Sequence, residues 1–296
     1  MSRAAVRHGD ALRVDAPAKV NLTLRILARE DAGYHQIETL FCALDLADTL
    51  ELRPGGDGIR LEVEGAEIGP VEDNLVFRAA RAFQDATGIE QHVAIRLRKE
   101  VPAGAGLGGG SSDAAATLDA LNELHGRPLD DAALVDLAAT LGSDVPFFLC
   151  RSPFALAWGR GDRLLPLPAP PRAPALVAVP GFPIPTAEAY RALAAHRART
   201  GAAPGAAVVP LHALGTWEDI AAAAVNDFEP PTFERFPELA RLKRLLLDTG
   251  ATLALLSGSG SALFGIFPDG KQRDDAVSAL HAHGTELRLI PTATAG

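Results

Sequence analysis

The chain has 296 residues, 48% of them hydrophobic and 22% charged, with a formal net charge of −9. That composition excludes a disordered, collagen-like or disulfide-stapled chain. An acidic chain without a basic run also lacks the electrostatic footprint of a general nucleic-acid binder.

Leu12 to Leu27 reads as a strand interrupted by Pro17, with Leu22, Leu24 and Ile26 alternating as a half-buried strand requires. Leu50 to Glu64 alternates around Gly55-Gly56-Asp57-Gly58, the pattern of a hairpin. Asn74 to Thr87 predicts a helix with Leu75, Ala79, Ala82 and Phe83 on one face and Gly88 stopping it. Val93, Ile95 and Leu97 then mark a strand with one polar face, and a glycine-rich turn runs from Pro102 to Gly110. Helices follow over Ser111 to His125 and Asp130 to Leu141, closed by Gly126 and Gly142.

The proline-dense run from Pro166 to Pro174 predicts a surface connection near a domain boundary, followed by a strand over Ala175 to Val179. Ala202 to Leu214 has little pattern and reads as a variable loop. Helices over Phe236 to Thr249 and Asp274 to His283 alternate with strands over Thr252 to Ser257, Ala262 to Phe267 and Glu286 to Ile290. Strands and helices are mixed without a regular βαβ rhythm. The simplest arrangement is two α+β domains meeting near residue 160, spanning 1–160 and 161–296.

Cys42 and Cys150 lie far apart with no metal-ligand spacing, so they read as buried thiols in a reducing compartment rather than a disulfide or a zinc site. No stretch approaches the roughly 18 apolar residues of a membrane span, and the N-terminal segment carries no signal-peptide core. The expectation is a soluble, cytoplasmic protein with no nucleic-acid or membrane partner.

Chemistry concentrates in a few segments. PAGAGLGGGSSDAA, from Pro102 to Ala115, places five glycines in seven positions between a strand and a helix. Such a run is entropically costly, so the backbone there needs positive φ or close approach to something. The N–H groups and dipole of the following helix form an anion site, for which phosphate is the natural occupant. A Walker A loop is excluded because Gly110 stands where its Lys belongs. Gly104, Gly106 and Gly109 satisfy GxGxxG, but the acidic residues near the required distance, Asp130 and Asp131, begin a helix. A protein-kinase loop would need HRD and DFG elements, and neither exists.

PAKVNL, from Pro17 to Leu22, puts Lys19 and Asn21 on one strand face. Only four Lys occur among 28 Lys and Arg, so a Lys in this apolar strand calls for an explanation beyond an exposed edge charge. Lys243 and Lys271 read as ordinary surface residues. Asp144, in GSDVPFFL, suits either a helix N-cap or a carboxylate at the wall of a phosphate site. LSGSGSALFGIF, from Leu256 to Phe267, is a glycine turn between two strands, able to approach a ligand by backbone or to serve simply as a hairpin turn. GYHQIETLF and IPTAEAY hold both tyrosines, Tyr34 and Tyr190, which suggests an aromatic clamp for a base with His35 supplying edge hydrogen bonds.

Together these segments resemble the GHMP kinases over nearly the whole chain, and among them those acting on a cytidine-diphosphate-linked methylerythritol of the non-mevalonate isoprenoid pathway. The resemblance implies an α+β, two-domain GHMP kinase fold. Its N-terminal domain would hold a left-handed βαβ crossover, and its C-terminal domain would be ferredoxin-like. It implies ATP with Mg²⁺, and phosphoryl transfer to a hydroxyl of a small molecule. Lys19 and Asp144 match the family's catalytic pair. Lys99, Pro102, Ala103, Gly104, Ala105, Gly106, Leu107, Gly108, Gly109, Gly110, Ser111 and Ser112 match the ATP-binding positions, with Ser112 a Mg²⁺ ligand. Asn21, Tyr34, His35 and Tyr190 match substrate-binding positions. The expected assembly is a monomer or a weak homodimer. A homoserine or mevalonate kinase, or a non-catalytic nucleotide-binding member of the fold, are the alternatives.

Overall fold

A computed structural model describes residues 6–30, 35–65, 69–203, 214–282 and 287–296. The chain forms two compact units, each discontinuous in sequence. One comprises 1–18, 46–103 and 108–151; the other comprises 19–45, 104–107 and 152–296.

In the first unit, β1 (Val6–His8) pairs antiparallel with the start of β2 (Ala11–Arg29). The second half of β3 (His35–Pro54) pairs antiparallel with β5 (Val93–Arg98), and β4 (Ile59–Glu64) runs parallel to β5 on its other side. The hairpin expected around Gly55–Gly58 therefore does not form. β5 inserts between β3 and β4, and the four-residue link spans it, with Gly55 N–H donating to His92 O and Val93 N–H to Gly58 O. The connection from β4 to β5 is the parallel crossover through α1 (Leu75–Thr87). That helix begins where its sequence dictates: Asn74 accepts from Val76 N–H, and Gly88 ends it at φ 70°. Pro17 does not interrupt β2. Its fixed φ is compatible with extended backbone, and the cost of one missing N–H is small beside the full burial of Ala16 and Ala18.

Helices α2 (Gly109–Leu124), α3 (Asp131–Leu141) and α4 (Val145–Leu149) complete the unit. The Ala-rich α2 is buried over most of its length and packs against α1, α3 and α4. Small side chains permit that approach on several faces. It starts two residues earlier than predicted, because Gly108 adopts φ 70° and its carbonyl accepts Ser112 N–H.

In the second unit, the first half of β3 pairs with β6 (Phe154–Gly159), which pairs in turn with β7 (Arg163–Pro166). β8 (Pro174–Pro180), β10 (Leu253–Leu256), β11 (Leu263–Ile266) and β12 (Leu287–Ala293) form an antiparallel sheet in the order β10-β11-β8-β12. With helices between β8 and β10 and between β11 and β12, this is the ferredoxin-like arrangement. Those helices are α5 (Thr186–Thr200), α6 (Trp217–Ala223), α7 (Glu229–Arg235), α8 (Pro237–Asp248) and α9 (Gly270–Ala282); the two-residue β9 (Val225–Asn226) joins β2 in parallel. Leu239, Leu242 and Leu246 of α8 and Ala276 and Leu280 of α9 enter one core with Leu176, Leu256 and Leu263. The loop expected over Ala202 to Leu214 lies largely outside the described residues.

Both cysteines are free; Cys42 is buried, whereas Cys150 is only half-buried, contrary to the sequence expectation. Burial pushes the Cys42 thiol up to about 12, so almost no reactive thiolate exists at neutral pH. A disulfide-exchange reagent at pH 8 is expected to titrate no more than one thiol in the folded protein and two in denaturant. Two fast-reacting thiols in the folded state would contradict this placement.

Candidate active site

The second unit assembles the loop chemistry. Lys19 is buried, 4% exposed, and its Nζ donates to Asn21 Oδ1 at 2.8 Å, with the Phe41 ring centroid 5.0 Å away. Asn21 Nδ2 donates onward to Thr39 Oγ1 at 2.7 Å. The two residues share a strand face as their spacing requires, and Lys19 is no edge charge. Its backbone N–H donates to Leu107 O at 2.9 Å, which ties the strand to the glycine-rich loop.

The loop between β10 and β11 meets the same glycines. Ser257 Oγ donates to Gly106 O at 3.0 Å, and Ala262 N–H donates to Ala105 O at 3.3 Å. Gly106 has φ 82°, and a Cβ there would stand 2.1 Å from Ser257 O. Glycine is thus required twice over, by backbone conformation and by close approach. Leu107 and Lys19, Gly106 and Ser257 therefore bring all three sequence motifs together, and the SGSGS turn is more than a hairpin connection.

Two supports of that turn escaped sequence reasoning. Asn226 is buried, and its Nδ2 donates to both Leu256 O and Gly258 O at 2.8 Å. Glu229 accepts from Leu256 N–H at 3.0 Å and from Lys243 Nζ at 2.6 Å. Lys243 is therefore a partly buried strut, not a simple surface residue. Lys271 is exposed and pairs with Asp275 one helical turn away.

The His35 ring stacks on Tyr190, centroids 4.3 Å apart at 21°, and Tyr190 stands edge-on to Phe228 at 5.0 Å. Tyr34 lies outside the described residues.

The first unit holds the helical side of the loop. Pro102 and Ser111 are half-buried, and Ala103 and Gly110 are exposed. No side chain caps α2. The N–H groups of Gly109, Gly110 and Ser111 therefore lie in the first turn, where no intrahelical acceptor exists, and point together with the helix dipole. Ser112 is fully buried, and among the described residues its Oγ has no hydrogen-bond partner. Asp144 occupies the N-cap position of α4, and its side chain makes no capping bond there.

The Lys99 side chain is buried and paired rather than solvent-facing. Its Nζ donates to Asp48 Oδ2 at 2.5 Å and Asp113 Oδ2 at 2.7 Å, and all three side chains are buried. Burial works against the charge on Lys99, but Asp113 and Asp48 together outweigh it and hold its pKa above the ordinary lysine value. Burial likewise pushes the Asp113 carboxyl up to about 7, with Lys99 opposing. A carboxyl raised from its ordinary 3.8 favours the folded state while protonated. Its contribution to stability is therefore present below about pH 4 and lost as pH rises toward 7. Asp113→Asn should flatten the slope of unfolding free energy across that window, as denaturant titrations at successive pH values would show. An unchanged slope would remove Asp113 as its source.

Among the described residues, no group of three or more His, Cys, Asp or Glu side chains could hold a metal ion, and no helix is long and apolar enough to cross a membrane. A divalent ion that reaches the site with phosphate needs only one or two protein oxygens. The orphaned Ser112 Oγ fits that demand.

Comparison with known proteins agrees with this anatomy. The GHMP kinases N terminal domain profile matches residues 74–152, and the GHMP kinases C terminal profile matches 209–286. A 4-diphosphocytidyl-2-C-methyl-D-erythritol kinase of Pelotomaculum thermopropionicum is 45% identical over 86% of this chain and 88% of its own length. The kinase of the same name from Syntrophus aciditrophicus is 40% identical over 93% and 96%. A crystal structure of 4-(cytidine 5'-diphospho)-2C-methyl-D-erythritol kinase superposes with a TM-score of 0.80 at 39% identity, covering 96% of this chain and 99% of that one. A homoserine kinase from Cytophaga hutchinsonii shares the fold, with a TM-score of 0.72 at 21% identity over 98% and 96%.

Fold and glycine loop thus define an ATP-dependent small-molecule kinase of the GHMP type. The chain belongs to the GHMP kinases, and within them to the family of the 4-diphosphocytidyl-2-C-methyl-D-erythritol kinases.

Proposed function

We propose that the protein transfers the γ-phosphoryl group of ATP to a hydroxyl on the methylerythritol part of 4-diphosphocytidyl-2-C-methyl-D-erythritol, a step in the non-mevalonate route to isoprenoid precursors. The observation that carries this substrate is the His35–Tyr190 ring pair backed by Phe228. Homoserine and mevalonate contain no base, so neither would call for an aromatic platform.

Phosphoryl transfer depends on positioning and charge stabilisation more than on reactive side chains. Pro102 to Ser112, with Lys99 at its root, form the ATP-binding segment, and the first-turn N–H groups of α2 receive phosphate oxygens. Asp144 accepts or orients the proton of the substrate hydroxyl. Lys19 stabilises charge on the reacting oxygens. Ser112 Oγ would hold a Mg²⁺ ion arriving with the phosphates, and the ion would supply charge neutralisation for the transferred group. Asn21 and His35 hydrogen-bond the substrate, and Tyr34 and Tyr190 enclose the cytosine. In this structure His35 covers one face of Tyr190. A base stacks there once His35 turns aside, which also brings its ring nitrogens to the base edge. Residues 1–160 are the ATP-binding part of the chain and 161–296 the remainder. The protein works in the cytoplasm as a monomer or weak homodimer, with no nucleic-acid or membrane partner.

ADP release with the cytidine-linked methylerythritol, mevalonate and homoserine offered in turn tests the reading. Turnover is expected with the first alone; turnover only with one of the others would reassign the substrate, and none with any would make this a binding module. Loss of one aromatic face costs roughly 1–3 kcal/mol of base stacking, so Tyr190→Ala should raise KM for the cytidine substrate by about 5- to 150-fold with a smaller change in kcat. An unchanged KM would remove Tyr190 from recognition.

A further inference from the structure

We propose that Lys99 serves the reaction as a positioning residue: locked between Asp48 and Asp113, it fixes the first turn of α2 against the root of the glycine-rich loop and does not itself contact ATP. The inference rests on the loop being the phosphate site.

Three segments converge on this one ammonium. Asp48, from β3, is fully buried. It accepts Lys99 with Oδ2, and with Oδ1 it takes the backbone N–H groups of Glu100 and Val101 at 2.6 and 2.8 Å. The end of β5 and the start of the loop are thereby pinned to β3 by a single carboxylate. Asp113, 2% exposed, supplies the second grip from α2, and it immediately follows Ser112. The packing is close on the helix side as well. A Cβ on Gly109, the first residue of α2, would lie 3.0 Å from Val101 Cγ1 and 3.3 Å from Lys99 Nζ.

Geometry of this kind transmits orientation. If the ammonium moved outward to meet a phosphate, it would leave two buried carboxylates without their counter-charge, and removing one partner of a buried pair is strongly unfavourable. The carboxylates hold Lys99 in place, and Lys99 holds Gly109 and Asp113. The direction of the α2 N–H groups and the placement of Ser112 Oγ follow from that lock.

A double-mutant cycle separates positioning from direct contact. Lys99→Met and Asp113→Asn should each raise KM for ATP by about tenfold while KM for the hydroxyl substrate stays within about twofold. The double variant should be no worse than the poorer single one, because both changes release the same lock. Multiplied effects, near a hundredfold, would show that Lys99 has its own contact with ATP and overturn the proposal. Amine footprinting of the unaltered enzyme by mass spectrometry gives a second reading should the variants fold poorly. Lys271 should be modified readily, and Lys99 should resist modification equally with and without ATP. Modification of Lys99 that ATP suppresses would contradict the assignment. Failure of the unaltered enzyme to bind ATP would instead overturn the reading of the loop.

Discussion

Asp144→Asn is expected to lower turnover by about 10²–10⁴ while ATP binding survives, the span that removal of one general acid–base group commands. The substitution keeps size and shape but removes the charge. α4 should be unaffected, since the Asp144 side chain makes no cap bond to it and the helix starts with Val145 and Pro146. The loss would be in kcat. Steady-state kinetics combined with ATP titration of the variant checks both parts. Turnover near the parent rate would remove Asp144 from the mechanism.

Gly106→Ala should be the most damaging single methyl group in the loop. The residue sits at φ 82°, where a side chain costs about 1–3 kcal/mol. The added Cβ would also collide with Ser257 O, a backbone atom that cannot turn aside as a side chain end can. Either the glycine loop or the SGSGS turn must shift, and the Ser257 Oγ bond to Gly106 O shifts with it. The expected result is a melting temperature lower by roughly 5–10 °C and a KM for ATP raised more than tenfold. Gly104→Ala is the comparison: its φ is 68°, but nothing lies within 4 Å of the new Cβ. It should cost only the backbone term. Equal effects from the two substitutions would mean that contact with Ser257 is not what demands glycine at 106.

Much of this was legible in sequence where local physics decides. Asn74 and Gly88 bound α1 as a cap and a stop, and Asp130 caps α3 by accepting from Ala133 N–H. β5 buries Val93, Ile95 and Leu97 and exposes the residues between them. The five glycines announced unusual backbone, and positive φ at Gly104, Gly106 and Gly108 accounts for three of them.

Sequence failed where partners are distant. The link around Gly55–Gly58 has hairpin composition, but nothing local tells that β5, some 40 residues on, takes the place of the expected partner. β6 is apolar at every position but its final glycine, so FALAWG gave no period to read. α5 buries little beyond Ala189 and Leu193, and its weak apolar stripe hid a 15-residue helix.

The site shows the same division. Lys19 and Asn21 share a face because strands alternate, which two residues of spacing suffice to predict. The burial and pairing of Lys99 could not be read from sequence because its partners, Asp48 and Asp113, lie 51 and 14 residues away. The available signal was weak: Asp48 stands in LDLADTL, Leu44 to Leu50, beside a second aspartate, Asp45, and only a buried carboxylate must find a partner. Asn226 offered no comparable cue.

The central claim is that an ATP-binding glycine loop and an aromatic base platform serve one phosphoryl transfer to a cytidine-linked alcohol. The most direct measurement is product mass in an equimolar mixture of 4-diphosphocytidyl-2-C-methyl-D-erythritol, mevalonate and homoserine incubated with ATP, Mg²⁺ and the protein. The account predicts that the cytidine-linked compound alone gains one phosphoryl group, matched one for one by ADP. Phosphorylated mevalonate or homoserine, with the cytidine compound unchanged, would contradict it.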